Sequence, residues 1–556
     1  AQAGINEVSL SWAAGEIPAE STDVLRGADH YVVRVTGDSS ARLLSTAATS
    51  FVVSGLRNGV IYTFEVFAVT DAGRSEAAGP VTATPITGME GEVAGLIVQF
   101  EPSVRVHDGQ ADVPGEEAVD AVDLSVGERV TADAVLVDLS APVPLDEAKA
   151  IASDLAAAPE VAWAEPDQFL FAAAPDPGLA QSVSVPADSD YATTQWNLWD
   201  TYGISIGDGS ASMTDAWAGK RGDGVTVAVI DTGLTPHPDL DAQVVPGYDF
   251  VSSPDALAAA READGGDVAF DGDYVDASFG GVGRDGNPTD PGDWRGVAPV
   301  RNSTWHGTKV AGVIAAASNA DGITGIAPGA KIEPVRALSW RGGLLSDIAS
   351  SITWASGGTV DGAPVNANPA KVINMSFSVQ AMCPAALQDA ITAAKNRGSI
   401  LVAAAGNAND DASKYTPGNC TDVITVGASN RDGTRASYSN YGSAVDLSAP
   451  GGDSEAPVTT TSNNGTTNAT AAATATASGT SIAAAHVSAA AAILASRNGS
   501  LNPDDAYRTL TGHDYVKAFA NNVCDSNPDF SCGKGILSLA QVADACSTSL
   551  VTASPS

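Results

Sequence analysis

Three short runs of this chain carry the residue types of nucleophilic catalysis. Asp231 opens an Asp-Thr-Gly run directly after an apolar segment, and His306 opens a His-Gly-Thr run before a series of small residues. Ser481 closes a Gly-Thr-Ser run at the start of an alanine-rich stretch. A serine hydroxyl is a weak nucleophile near neutral pH, so it needs a base within hydrogen-bond reach and an acid that orients the base. The three runs supply these parts, and a serine peptidase is the first hypothesis.

The Asp-Thr-Gly run at Asp231 is also compatible with an aspartic peptidase or with an ordinary turn. An aspartic peptidase needs two carboxylates that share a proton. The chain contains no second Asp-Thr-Gly or Asp-Ser-Gly run. The aspartic peptidase is therefore disfavoured.

Two further groups could stabilise the negative charge that develops when a serine attacks a carbonyl. Ser481 is predicted to begin a helix, where unpaired backbone N–H groups attract an anion. Asn407 follows the apolar run at residues 400–405 in an Ala-Gly-Asn sequence. Alone, this asparagine would be a turn residue. Beside the other three groups, it is predicted to donate its side-chain amide to the oxyanion.

The remaining histidines are poorer candidates for the base. His486 lies five residues after Ser481 in the same helical pattern, so it is expected to point away from the serine. His237 lies in a proline-flanked turn. His306 is therefore the predicted base.

A parallel β-sheet would bring these residues together. Apolar runs at residues 225–230, 371–376 and 400–405 are separated by helical patterns. Continuous apolar strands of this kind are typical of an α/β fold, in which helices cover both faces of a parallel sheet. Reactive groups gather at the carboxyl ends of such strands, and Asp231 and Asn407 each follow one.

The N-terminal part of the chain has a different pattern. Residues 1–87 contain short alternating runs with turn residues between them, which predict an all-β sandwich. With Trp12, this segment resembles a fibronectin type III module. It offers no nucleophile paired with a base, so a spacer or binding module is expected. Residues 90–172 combine strand-like runs with a helical one and predict a small α+β unit.

Residues 190–545 resemble a subtilisin-like (subtilase) serine endopeptidase through four runs in the same order, around Asp231, His306, Asn407 and Ser481. The resemblance implies that Asp231 orients the base and that His306 acts as general base and acid. It implies that Ser481 is the nucleophile, and that Asn407 and the Ser481 amide form the oxyanion hole.

The α+β unit at residues 90–172 resembles the pro-segment of the same enzymes, which occupies the active-site cleft in cis until it is cut. The proline-rich and alanine-rich stretch after it, residues 173–189, is predicted to be a linker open to cleavage. The chain is then an inactive precursor that cuts itself before Gln195.

The chain departs from the family pattern at several positions. Lys309 stands where a second histidine is common, and Ile482 where a methionine is common. Ser378 and Val379 replace two glycines that usually line the substrate channel. The changes at Lys309 and Ile482 remove no catalytic group, and the change at Ser378 and Val379 is expected to alter how the substrate backbone pairs in the channel.

The resemblance also implies structural Ca²⁺, a hard cation that prefers oxygen ligands. The residues that correspond to the family's high-affinity calcium site are Gln195, Asp239, Asn319, Asp321 and Ile323. A second site is less defined: the acidic cluster with Asp285, Asp290 and Asp293 lacks the spacing of an EF-hand and is either another cation site or a solvated acidic loop.

The charge of the chain restricts its partners. It has 66 acidic and 28 basic residues, and its net charge is −38. Nucleic acids and anionic membrane surfaces are therefore not expected to bind it. No apolar run is long enough to span a bilayer. The expected substrates are proteins or peptides, and the expected state is a monomer.

The five cysteines form no CxxC pair, so disulfides are expected rather than a zinc or thioredoxin-type site. One arrangement joins Cys383 to Cys420 and Cys524 to Cys532, which leaves Cys546 single. Disulfides persist in oxidising compartments, so the chain is expected to be secreted and extracellular.

Two other functions remain open at this stage. The chain could be a catalytically idle binding protein in which the β-sandwich holds a partner and the α/β part is a scaffold. Four intact catalytic positions argue against it. Residues 90–172 could also be a free-standing inhibitor, but their fusion to the α/β part favours a role in cis.

Overall fold

The computed structural model describes most of residues 2–170, together with residues 194–204, 220–251, 284–294, 302–319, 322–339, 342–520, 524 and 530–539. The chain separates into two compact units, residues 1–90 with 408–410 and residues 91–407 with 411–556. The predicted linker at residues 173–189, Asp321 and Cys546 lie outside the described residues.

Residues 1–90 form an all-β unit, as their alternating pattern predicts. Its strands are β1 (Gln2–Gly4), β2 (Glu7–Ser11), β3 (His30–Thr36), β4 (Arg42–Thr46), β5 (Ser50–Val53), β6 (Tyr62–Thr70), β7 (Gly73–Arg74) and β8 (Ala78–Ala83). They build one sheet in the order β1-β2-β5 and another in the order β4-β3-β6-β7, with β8 paired to β6. Alternate residues of β3, including Val33, pack against Val8 and Leu10 of β2 in a shared core.

The next segment is the predicted α+β unit. Its elements are β9 (Glu92–Phe100), β10 (Leu124–Arg129), β11 (Ala134–Pro144), α1 (Leu145–Leu155) and β12 (Val161–Pro166). The strands form an antiparallel sheet in the order β10-β11-β9-β12. Helix α1 buries Ala148, Ile151, Ala152 and Leu155, which recur at helical spacing, against one face of this sheet.

The rest of the chain is built on a larger sheet. Its strands are β14 (Thr226–Asp231), β15 (Tyr248–Asp249), β16 (Lys331–Arg336), β18 (Val372–Met375), β20 (Ile400–Ala404), β22 (Ile424–Ser429), β23 (Leu447–Pro450), β26 (Val516–Lys517) and β27 (Ile536–Leu537). Their order among the described residues is β15-β16-β14-β18-β20-β22-β23-β27-β26. All neighbours are parallel except β26 and β27, which are antiparallel. The predicted parallel sheet is thus confirmed, with one antiparallel edge strand.

Short ladders lie outside this sheet. They pair β13 (Phe169–Leu170) with β17 (Gly343–Leu344), β19 (Val379–Gln380) with β21 (Tyr415–Thr416), and β24 (Val458–Asn463) with β25 (Ala472–Ala477), each antiparallel. The last pair is a long hairpin that precedes Ser481. It lies in residues 458–477, a stretch of the sequence that is rich in threonine and alanine.

Helices cover both faces of the parallel sheet, as predicted. They are α2 (Trp196–Trp199), α3 (His306–Ala315), α4 (Leu345–Ala355), α5 (Ala385–Arg397), α6 (Thr480–Arg497) and α7 (Pro503–Leu510). One face packs α3 and α6 against the strands, and the other packs α4 and α5. Helix α6 is alanine-rich and buried from Thr480 to Ala495, because small side chains let it lie close to the strands and to α3.

The α+β unit packs onto the α4 and α5 face. Ile97, Val130 and Ala134 belong to the same apolar cluster as the side chains of these helices. The unit is therefore part of the core of residues 91–556 rather than an appendage.

Both proposed disulfides are present. Cys383 is bonded to Cys420 and Cys524 to Cys532. No helix of the described residues combines the length and the hydropathy needed to cross a bilayer.

A carboxyl group lies in the core of the sheet. Glu333 on β16 has no solvent exposure, and neither of its oxygens has a hydrogen bond of good geometry to any of the described residues. Its polar neighbour Asn366 donates to the carbonyl oxygen of Trp354 at 3.1 Å. Burial raises the pKa of Glu333 from 4.5 to about 8. The native state therefore keeps this proton at pH values where the unfolded chain loses it.

We expect Glu333→Gln to stabilise the protein at alkaline pH. The contribution of Glu333 to stability is intact below pH 4.5 and is lost as the pH rises to about 8. The glutamine removes that loss, which we expect to raise the free energy of unfolding by about 2 kcal/mol and Tm by roughly 5 °C at pH 9. Thermal unfolding at pH 4 and pH 9, in a Ser481→Ala background that prevents self-digestion, measures the effect. An equal gain at both pH values would contradict the prediction.

Candidate active site

The acidic member of the predicted triad lies at the carboxyl end of a central strand. Asp231 is the last residue of β14, which lies between β16 and β18, and it has no solvent exposure. Its Oδ1 accepts the backbone N–H of Thr232 at 2.8 Å. Gly233 follows with a positive φ of 99°, and a Cβ there would lie 2.6 Å from the carbonyl oxygen of Pro288. The Asp-Thr-Gly run is therefore a tight turn that only glycine completes.

His306 is the first residue of α3 and is paired with Asp231. Its Nδ1 lies 2.8 Å from Asp231 Oδ1 and 2.9 Å from Oδ2. Because a carboxylate accepts, Nδ1 carries the proton, and Nε2 of a neutral ring is left as an acceptor. Nε2 is buried and has no hydrogen-bond partner among the described residues. The ring thus has the arrangement of a general base.

Glycine and threonine hold α3 against the end of β14. A Cβ on Gly307 would lie 2.1 Å from the carbonyl oxygen of Gly233, so only glycine fits. Gly307 N–H donates to Thr232 Oγ1 at 3.1 Å, and that hydroxyl donates to Asp290 Oδ2 at 2.7 Å. Burial, and then the nearby Asp293, raise the pKa of Asp290 to about 7. Asp290 thus acts on the site through Thr232.

Ser481 is the second residue of α6, which packs against α3. Its carbonyl oxygen accepts a hydrogen bond of 2.9 Å from Ser376 Oγ. Asn374 Nδ2 donates to Ser376 Oγ at 2.9 Å, and Ser488 Oγ donates to Asn374 Oδ1 at 2.9 Å. All four side chains are buried. This chain of hydrogen bonds joins the start of α6 to β18.

The side-chain amide of Asn407 is oriented by the residue before Ser481. Asn407 Oδ1 accepts from the backbone N–H of Thr480 at 2.9 Å and from its hydroxyl at 2.7 Å. The Thr480 hydroxyl in turn accepts from Gly406 N–H at 3.2 Å. With Oδ1 occupied on the Thr480 side, Nδ2 is the end of the amide directed elsewhere, as an oxyanion donor requires. Thr480 has no signal in the sequence that marks this role.

Asn440 holds the segment before Asn407 through two hydrogen bonds. Asn440 Nδ2 donates to the carbonyl oxygen of Ala405 at 2.8 Å, and its backbone N–H donates to that of Gly406 at 2.8 Å. Gly406 has a φ of 101°, and a Cβ there would lie 2.4 Å from Asn440 Nδ2 and 3.0 Å from Ser378 Oγ. Ser378, one of the predicted channel residues, therefore lies beside the segment that carries Asn407.

In the part of the chain that the structure describes, two further buried histidines, His237 and His486, make structural hydrogen bonds. His486 is fully buried, its Nδ1 bonds to the Ile482 carbonyl at 2.8 Å and its Nε2 accepts from Asn197 Nδ2 at 2.9 Å. Burial lowers its pKa to about 4, so it is neutral near pH 7. His237 Nε2 lies 3.1 Å from the carbonyl oxygen of Ala473, and its pKa is also lowered by burial.

Four of the five residues assigned to the first calcium site lie in two neighbouring pairs of contacts. Asp239 accepts from Asn319 Nδ2 at 3.3 Å and from the backbone N–H of Ile323 at 3.2 Å. Gln195 exchanges two hydrogen bonds with Thr324, of 2.8 and 3.1 Å. The carboxylate and amide oxygens of these residues are the kind of ligand atom that Ca²⁺ prefers. The fifth, Asp321, lies outside the described residues.

The second acidic cluster uses its carboxylates within the protein. Asp285 accepts from Asn287 N–H at 2.7 Å, Asp290 from Gly292 N–H at 2.9 Å, and Asp293 from the Thr304 hydroxyl at 2.6 Å. Among the described residues, no group of three or more His, Cys, Asp and Glu side chains converges as a metal site would. This assignment therefore stays a prediction.

The α+β unit contacts the elements beside the site through two carboxylates and a strand. Glu165 accepts from the backbone N–H groups of Ala385 and Ala386 at the start of α5, at 2.9 and 2.7 Å. Asp167 accepts from Ser346 N–H at 2.8 Å and from its hydroxyl at 2.6 Å, at the start of α4. Just beyond them, β13 pairs with β17.

The chain is similar to known families and to known proteins. A model of the subtilase family matches residues 222–535, and a fibronectin type III domain model matches residues 2–84. The solved structure of a protease from Pseudoalteromonas arctica is 38% identical, covers 65% of this chain and 99% of its own, and superposes with a TM-score of 0.55. Fervidolysin from Fervidobacterium pennivorans, 20% identical over 82% of this chain and 62% of its own with a TM-score of 0.54, shares the fold.

Two curated relatives are named as extracellular enzymes. The extracellular protease of Xanthomonas campestris is 39% identical over 63% of this chain and 54% of its own length. The extracellular basic protease of Dichelobacter nodosus is 38% identical over 66% of this chain and 55% of its own length. The chain thus spans about half the length of these relatives. The family model alone covers more than half of the 556 residues, so the chain belongs to the subtilase family.

Proposed function

We propose that this chain is a secreted serine endopeptidase that hydrolyses peptide bonds in proteins, and that it is made as a precursor and acts as a monomer. The observation that carries the proposal is the pairing of Asp231 with His306 Nδ1, which leaves a buried Nε2 that no described residue hydrogen-bonds. The names of the curated relatives support both the activity and the extracellular location.

In the first half of the reaction, Ser481 Oγ attacks the carbonyl carbon of the scissile peptide. His306 Nε2 accepts the hydroxyl proton as the C–O bond forms, and the imidazolium is stabilised by the carboxylate of Asp231. The charge on the former carbonyl oxygen is met by Asn407 Nδ2 and by the backbone N–H of Ser481. His306 then gives its proton to the leaving amine, and an acyl-enzyme remains.

In the second half, water attacks the acyl-enzyme. His306 removes one proton from this water, the oxyanion donors act again, and the proton returns to Ser481 as the carboxylic acid product leaves. Both halves use the same groups in the same places. Asp231 holds the imidazole ring in place and stabilises its positive charge in both halves.

Residues 90–172 act as an inhibitory pro-segment in cis. The support is the set of contacts between this unit and the rest, in which Glu165 and Asp167 bind the starts of α5 and α4 and β13 adds a strand to β17. An extended chain paired to a strand edge has the geometry of a bound peptide. Cleavage between this unit and Gln195 produces the mature enzyme.

Calcium stabilises the mature fold. Gln195, Asp239, Asn319 and Ile323, with Asp321, would hold the ion through side-chain and carbonyl oxygens, and the ion supplies structural stability rather than chemistry. The support is the cluster of contacts around Asp239. A Cβ on Gly322 would lie 2.1 Å from Asp239 Oδ2, so the loop fits tightly round this carboxylate.

Self-cleavage is expected to require Ser481. The wild-type chain should separate into a pro-part and a mature part, whereas Ser481→Ala should remain whole, because the alanine has no nucleophile. Gel electrophoresis with N-terminal sequencing locates the cut and measures its rate. Ser413→Ala, at an exposed serine, is the matched control and should be cut normally. Equal cleavage of the Ser481→Ala chain would refute the assignment.

Loss of the Thr480 hydroxyl is expected to weaken the oxyanion site through Asn407. Thr480→Val should lower kcat/KM for a peptide anilide about tenfold, and Asn407→Ala about 100-fold or more. The double variant should resemble Asn407→Ala alone, because both changes act on one amide. Thr480→Ser, which retains the hydroxyl, should restore most of the rate. Additive losses would show that Thr480 acts in some other way.

Removal of calcium is expected to lower stability through Asp239. A chelator should lower Tm of the Ser481→Ala protein, and added Ca²⁺ should restore it. A protein that carries both Ser481→Ala and Asp239→Asn should have a lower Tm than the Ser481→Ala protein, and this Tm should no longer respond to chelator. A full response in the Asp239→Asn protein would place the ion elsewhere, and no response in either would exclude a stabilising ion.

A further inference from the structure

The residue before His306 has an unusual backbone conformation. Trp305 is at φ 52° and ψ 39°, in the left-handed region, and its side chain is 2% exposed. A bulky residue rarely adopts this conformation, because its Cβ approaches neighbouring backbone atoms. Such a residue persists only where its surroundings hold it in place.

The tip of the β24–β25 hairpin holds this segment. The indole Nε1–H of Trp305 donates to the carbonyl oxygen of Gly465 at 2.7 Å. Two residues earlier, Ser303 N–H donates to the carbonyl oxygen of Thr466 at 2.9 Å. The approach is close, since a Cβ on Gly465 would lie 3.1 Å from Trp305 Cζ2 and 1.9 Å from the Asn468 carbonyl oxygen.

The same hairpin also contacts the body of α3. Thr460 Oγ1 donates to the carbonyl oxygen of Lys309 at 2.6 Å, and Thr461 Oγ1 donates to that of Thr308 at 2.7 Å. Opposite them, Gly312 has no room for a side chain, because a Cβ there would lie 2.1 Å from Thr461 Oγ1. Strand β24 therefore fixes the helix that carries His306 along its first two turns.

The hairpin is joined directly to the nucleophile. Strand β25 ends at Ala477, and Ser481 follows four residues later. One element thus contacts the base helix through hydrogen bonds and is covalently continuous with the serine helix. The hairpin is therefore placed to set the position of the helix that carries His306 relative to the helix that carries Ser481.

We propose that the β24–β25 hairpin positions His306 against Ser481, and that Trp305 is the positioning residue, through the bond from its indole to Gly465. This inference rests on the proposed function, since it assumes that His306 is the base for Ser481. Trp305 itself takes no part in the proton transfers.

The test compares Trp305→Phe with Trp354→Phe. Both changes remove a buried indole N–H that donates to a backbone carbonyl, Gly465 at 2.7 Å and Pro364 at 2.6 Å. We expect Trp305→Phe to lower kcat on a peptide anilide about 10- to 100-fold with KM within about twofold, as a misplaced base would. Phosphorylation of Ser481 by diisopropyl fluorophosphate, in which the serine oxygen displaces fluoride from phosphorus, should slow in parallel. Trp354→Phe should affect Tm but neither rate.

A second comparison approaches the same contact from the hairpin. Gly465→Ala should distort the hairpin tip, because the added methyl would lie 1.9 Å from the Asn468 carbonyl oxygen, and so displace the Gly465 carbonyl from the Trp305 indole and reproduce the loss of kcat. Gly499→Ala, at a glycine with nothing within 4 Å of its added methyl, should not. The proposal is overturned if Trp305→Phe matches Trp354→Phe in both rates, or if Gly465→Ala matches Gly499→Ala. If the wild-type chain is inactive and Ser481→Ala leaves its activity unchanged, the proposed function itself is rejected.

Discussion

The hydrogen bond between Asp231 and His306 is the contact on which the rest of the site depends. A carboxylate without solvent exposure is costly unless its charge is compensated, and Asp231 receives the N–H groups of His306 and Thr232. To form this pair, the end of β14 and the start of α3 must almost touch. Gly233 and Gly307 allow that approach. The glycines in the runs that begin at Asp231 and His306 are therefore required by this buried pair.

Each of the other functional groups is oriented by residues that come from a distant part of the chain. Thr480 fixes the amide of Asn407, 73 positions away, and Ser376 holds the carbonyl of Ser481, 105 positions away. Such bonds restrict the Asn407 side chain and the Ser481 backbone to one orientation, so the proposed reaction would need little reorganisation of these groups. The parallel sheet makes this possible, because the ends of β14, β18 and β20 lie side by side.

The parts of this arrangement that have local causes could be predicted from the sequence. Continuous apolar runs indicated the buried parallel strands, and their ends located Asp231 and Asn407. The contacts of Trp305 could not be predicted, because nothing near it in sequence reports that a carbonyl 160 positions later receives its indole N–H. The threonine-rich stretch before Ser481 has no helical or hydrophobic period that would reveal its position against α3. Polar pairing of this kind depends on the final packing and not on local preference.

The α+β unit caps the N-termini of two helices that belong to the parallel-sheet part of the chain. Neither Leu344 nor Pro384, which precede α4 and α5, has a side chain that can cap its helix. The missing acceptors are supplied by Asp167 and Glu165, and an N-terminal cap is worth about 1 kcal/mol. Burial raises the pKa of Asp167 to about 7. Burying this carboxyl group therefore costs free energy, which offsets part of the stabilisation that the caps give to the helix termini. In the proposed precursor, release of this unit would break these two caps, the β13–β17 ladder and the apolar packing of the unit against α4 and α5, while the strands of the parallel sheet keep their own pairing.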